Sequence, residues 1–132
     1  MSGVSNKKSR ETSFRLKRFE GEEKRRKVAD IELMIREFEH MASELDRQVQ
    51  SEEDRTGIKD RGHFAYSTLA KAAAQRRDNL RASVSNLQIK LESAVRERDD
   101  ACADFDRNAP EAQREIDRMP RRPERSPNAF MR

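Results

Sequence analysis

The residues able to do acid–base, nucleophilic or metal chemistry are few and far apart. Histidine occurs twice, as His40 and His63. His40 sits in Phe38-Glu39-His40-Met41, inside a charged helical stretch where a partly solvated imidazole is the expected state. His63 follows Gly62 in a stretch that reads as a connection, and suits capping or packing there. Cys102 is the single cysteine, so no internal disulfide can form, and it fits a small hydrophobe in a reducing compartment. The acidic runs Glu52-Glu53-Asp54 and Asp99-Asp100 read as solvated faces. There is no Gly-rich phosphate loop, no G-x-S-x-G and no H-E-x-x-H. No enzyme, cofactor or metal is expected from such a set.

What remains is charge, and it is unevenly placed. The net charge is only +4. Residues 1–27 hold ten basic and four acidic side chains, whereas residues 28–108 hold 13 basic and 17 acidic. The block Lys24-Arg25-Arg26-Lys27 precedes an apolar heptad run, which is also the order of basic-zipper DNA readers. A solvated face, a protein contact and a nucleic-acid contact are therefore the three readings to separate. A membrane-surface contact through Phe14, Leu16 and Phe19 would be weak, because three apolar residues bury little.

The elements that must carry this charge are long helices. Ala, Glu, Lys, Leu and Arg make up about half the chain. Leu, Ile, Val and Phe number only 23, too few for a thick core in a chain of 132 residues. Val28, Ile31, Ile35, Phe38, Ala42, Leu45 and Val49 alternate spacings of three and four, and all are apolar. That repeat is the narrow seam of a coiled coil. A second seam runs through Ala73, Leu80, Val84, Leu87, Leu91, Ala94, Ala101 and Phe105.

Folding the chain about Arg61 sets the two seams face to face and antiparallel. Val28 then meets Ala94, Ile31 meets Leu91, Ile35 meets Leu87, Phe38 meets Val84, Ala42 meets Leu80 and Val49 meets Ala73. Two layers are irregular. Leu45 faces Arg77, whose stem can cover the leucine while its head reaches water. Lys24 faces Arg98, and two like charges should splay that layer or shift its register. Gly21 occupies a seam position and should cost about 1 kcal/mol against alanine. Because an intramolecular partner already fills the seam, a parallel DNA-reading dimer is not expected, and a monomer is.

The expected fold is all-α: a long antiparallel two-helix coiled-coil hairpin with a disordered C-terminal tail. Residues 1–8 should fray, with Ser9 as N-cap. The hairpin spans residues 9–108, with one helix over 10–54, a connection over 55–66 and a second helix over 67–108, begun by Ser67 or Thr68. Gly57 and Gly62 mark the connection, and its length implies a small ordered structure in which Ile58, Phe64 and Tyr66 pack over the end of the rod. Pro110 should stop the second helix, and residues 109–132 should be a Pro/Arg-rich tail. Helices of roughly 40–45 residues give a rod of about 60–65 Å. The N-terminus lacks an apolar run after its charges, and no stretch approaches the ~20 apolar residues of a membrane span. A cytoplasmic protein is therefore expected.

Several segments also resemble a known family. Ser9-Arg10-Glu11-Thr12, Arg15-Leu16-Lys17-Arg18-Phe19 and Glu23-Lys24-Arg25-Arg26 are similar to the N-terminal pattern of the flagellar export protein FliJ family in its alphaproteobacterial form. His63-Phe64-Ala65-Tyr66, Ala70-Lys71-Ala72-Ala73 and Arg76-Arg77-Asp78-Asn79-Leu80 extend the likeness, which covers about residues 9–105. The loop segment is the more specific part, since heptads do not dictate it. The chain departs at Gly21, where a larger apolar residue would be expected, and in its short, Pro-broken C-terminus.

The resemblance implies a non-enzymatic part of the flagellar type III export apparatus, peripherally associated with the inner membrane. Family members are antiparallel two-helix coiled coils that associate with the export ATPase ring and the export gate protein, and have been linked to export chaperones. On that basis Arg15, Lys17, Arg18, Lys24, Arg25 and Arg26 are candidates for meeting the ATPase ring, and Phe64, Tyr66, Arg76 and Arg77 for a second partner. A generic coiled-coil scaffold and a basic nucleic-acid-binding helix pair are the competing functions.

Overall fold

The computed structural model describes the backbone of residues 2–117 and the side chains of residues 6–108. Two helices account for nearly all of it: α1, Ser2–Thr56, and α2, Thr68–Asp117. They run antiparallel and pack along their length. No strand occurs among the described residues, and no described helix is long and apolar enough to cross a membrane.

The seam is the expected one. Val28, Ile31, Ala42, Leu45 and Val49 of α1 are buried, as are Ala73, Val84, Leu87 and Ala94 of α2. Val28, Ile31, Leu87 and Ala94 form one cluster, with Ile35, Phe38, Leu91 and Val95 half-buried against it. Leu45, Val49, Tyr66, Ala70, Ala73 and Ala74 form another, flanked by Ile58 and Leu80. Ala70 is wholly buried. Three alanines on α2 let the helices approach closely where Leu45 and Val49 project from α1, so large faces small. Most of the stability of such a rod comes from this thin stripe rather than from helix propensity.

Both helices are longer than the pattern predicts. Helix α1 starts at Ser2, so residues 2–8 are helical and Ser9 is not its cap. Thr12 Oγ1 instead donates to the Lys8 carbonyl at 2.9 Å, an i−4 bond possible only inside a helix. Helix α2 passes through Pro110 to Asp117. Proline removes a single i→i−4 bond, and the carbonyl it orphans belongs to the exposed Asp106, where water can reach it. Residues 109–117 are therefore helical rather than a tail, and the rest of the expected tail, 118–132, lies outside the described residues. At 1.5 Å per residue the helices span roughly 75–83 Å, more than the pattern implied.

Candidate partner-binding site

The connection is a built structure. Gly57 takes φ +72°, the left-handed cap that ends α1, and its N–H bonds the Glu53 carbonyl at 2.8 Å. Asp60 Oδ1 accepts from Gly62 N–H at 2.9 Å, and His63 Nδ1 accepts from Ala65 N–H at 3.0 Å. Ser67 Oγ caps α2 by accepting from Ala70 N–H at 3.2 Å. The same hydroxyl donates to Glu52 Oε2 at 3.0 Å, and Tyr66 OH donates to Glu53 Oε1 at 2.8 Å. Two adjacent carboxylates at the end of α1 thus grip the two residues that lead into α2.

This network decides which loop residues can meet a partner. Tyr66 is buried in the core at the end of the rod, as its expected packing requires, and so is not open to a second partner. Phe64, expected to pack over the end of the rod, instead stands 96% exposed, stacked on the His63 ring at a centroid distance of 4.7 Å. The loop backbone turns through hydrogen bonds that need no apolar ring, so the ring is left outside. Leu69 and Arg76 are also exposed.

Arg77 corrects a second expectation. Its head does not reach water: the side chain is 9% exposed. Its guanidinium donates to Asp46 across the seam at 2.6 Å and to Asp78 at 3.2 Å. Burial alone would pull this group's pKa down, but the bonds to Asp46 and Asp78 outweigh it and leave it raised. An arginine beside Leu45 can be buried because the next residue of α1 is an acid. That adjacency was the missed signal. Arg77 is a rod fastener, not a free contact.

The opposite end carries the cations. Phe14 is buried against Phe105, ring centroids 5.0 Å apart, whereas Leu16 and Phe19 face solvent. Lys17 pairs with Asp104 at 3.5 Å, and Arg18 with Glu22 at 3.4 Å. The Lys24/Arg98 layer is not lost to repulsion. Lys24 and Lys27 both reach Glu97 Oε2, at 3.1 and 3.4 Å, and Arg98 turns to Asp99 at 3.1 Å. The two ammonium groups, Lys24 first, hold the Glu97 carboxyl below its ordinary pKa. Arg26 pairs with Glu23 at 3.1 Å along α1. Arg15 and Arg25 have no carboxylate partner among the described residues, and Arg25 donates to Cys102 Sγ at 3.5 Å.

Chemistry in the narrow sense is thin. His40 is exposed on α1, and His63 is engaged in the loop. Among the described residues no group of three His, Cys, Asp or Glu side chains could hold a metal ion. What the molecule offers is two surfaces about a rod apart: a cationic end and an aromatic tip. Comparison with protein-family models, with curated proteins and with solved structures found no match to this chain.

Proposed function

We propose that this chain is a non-enzymatic component of the flagellar type III protein export apparatus, a rod that joins the export ATPase ring to the export gate. The observation that carries the reading is the form of the rod: a single-chain antiparallel hairpin with ten basic residues in its first 27. A thin rod of this kind can enter the lumen of a ring, and complementary charge would orient it there. The segments that resemble the flagellar export family lie at the two ends that remain open to contact. At the cationic end Arg15, Arg18, Arg25 and Arg26 are exposed and fit the ring contact, while Lys17 and Lys24 are occupied across the seam. At the tip Phe64 and Arg76 fit the second partner. The apolar stripe that a basic-zipper dimer would need is used inside the chain, which favours a protein partner over nucleic acid.

The experiment is charge reversal. Replacing Arg25 and Arg26 by glutamate should reduce stimulation of the export ATPase several-fold and leave helicity unchanged. Full stimulation by that variant would remove the assignment of this end. Capture of unrelated cytoplasmic proteins, with no export component among them, would favour a general scaffold instead.

A further inference from the structure

Gly21 is a buried position with no side chain to fill it. A Cβ placed there would meet nothing within 4 Å. The consequence is a groove of about 330 Å³ between the helices at the cationic end. Phe14, Phe105 and Cys102 supply its apolar walls, and Lys17, Arg18 and Arg25 stand at its mouth. Glu22 also lines it, and its charge is matched by Arg18. Elsewhere along α1 the seam positions Val28, Ile31, Ala42, Leu45 and Val49 are filled by their own side chains. At Gly21 that side chain is missing, and the space is open to one delivered from outside.

The charge around the opening selects the visitor. Residues 118–132 of the same chain hold five arginines and one glutamate, so they share the sign of the mouth and are poor occupants. A second copy bringing the same end would be repelled likewise. We infer that the Gly21 groove receives one leucine or phenylalanine side chain from an acidic segment of a different protein, with Arg25 and Arg18 meeting the flanking carboxylates. This deepens the reading of the cationic end given above by naming the partner's chemistry. Energetically dominant contacts are side chains set in well-packed, desolvated pockets and ringed by contacts that exclude water. Arg25 is the best-placed cation, since a thiol rather than a carboxylate is its neighbour across the seam.

The test uses the full chain and labelled peptides, with no ATPase, so this inference and the functional reading can fail separately. A glutamate-flanked leucine peptide should bind about tenfold tighter than the same peptide with alanine, because burying the larger side chain removes more apolar surface from water. Gly21→Leu should fill the groove from within and abolish that preference, with helicity kept and the melting temperature held or raised. Gly21→Ala, which any helix accepts, should reduce the preference partly. Arg25→Ala should weaken both peptides alike. Equal binding of the leucine and alanine peptides would overturn the inference. So would a preference that survives Gly21→Leu, a lysine-flanked leucine peptide that binds as well, or self-association of the chain that Gly21→Leu removes.

Discussion

The two ends of the rod are built by different physics from one heptad pattern. At the loop end the chain itself brings the helices together. Glu52 and Glu53 bond Ser67 and Tyr66, 15 and 13 residues away around the turn, and the alanines of α2 close the seam. At the far end nothing covalent holds the helices. One aromatic pair, an unfilled glycine layer and a layer of cations tied to nearby acids do the work. Local closure makes the first end cheap to order, while the second must be held by contacts distant in sequence. A surface that is to meet a partner is better placed at the end held less tightly.

The largest expected effects test that contrast directly. Leu45→Ala should cost about 2–4 kcal/mol, because it empties a buried layer that alanines on α2 cannot refill. Phe14→Ala should cost about 1–2 kcal/mol, since its ring already borders an open groove and the site can collapse. Thermal melting followed by circular dichroism gives both values. Amide exchange then locates them: Phe14→Ala should release protection near the cationic end alone, whereas Leu45→Ala should lower it throughout. Equal and uniform losses would mean the ends are not distinct.

A smaller effect separates buried from exposed charge. Asp46→Asn leaves the Arg77 guanidinium buried with Asp78 as its only carboxylate, and should cost about 1–3 kcal/mol. Arg77→Met should be close to neutral, because a hydrophobe of similar volume needs no partner there. At the other end, Lys24→Met should barely shift melting, since the Lys24–Glu97 pair is only half-buried and Lys27 also reaches that carboxylate. A large loss from Lys24→Met and none from Asp46→Asn would reverse the comparison.

The seam was legible because leucine, valine and isoleucine at heptad spacing have few other uses in so charged a chain. Its antiparallel pairing followed from one requirement, that layers facing each other be apolar together. Ala70 and Ala74 were not legible as core, since alanine is equally at home on a solvated helix face. Tyr66 and Phe64 could not be told apart from spacing: one found a carboxylate for its hydroxyl and went in, the other had no polar handle to place and stayed out. Arg77 deceived because heptads say where a stem points and not which acid its head will meet. The helix ends were misread for a related reason. Ser9 and Pro110 are local signals, and each costs less than the continuing helix gains around it.

The last contrast is one of pH. Both ends share an acid limit. The Glu52 carboxyl is held below its ordinary value of 4.5 by Arg55 and then Ser67, and the Glu97 carboxyl by Lys24 and then Lys27. Groups lowered by folding contribute fully above the unfolded value, and the contribution fades as pH falls through the folded one. Melting temperature should therefore drop below about pH 4.5, and Glu52→Gln or Glu97→Gln should each flatten that drop in part. The loop end adds an alkaline limit through Tyr66. Burial first, and then the bond to Glu53, push the Tyr66 hydroxyl above its ordinary 10.0. A group raised by folding contributes fully below the unfolded value and loses that contribution as pH rises through the folded one. Melting should thus fall above pH 10.0, with early loss of exchange protection around the loop, and Tyr66→Phe should remove this alkaline step while leaving the acid one in place. An alkaline loss that began at the cationic end, or that Tyr66→Phe left untouched, would place the weak point elsewhere on the rod.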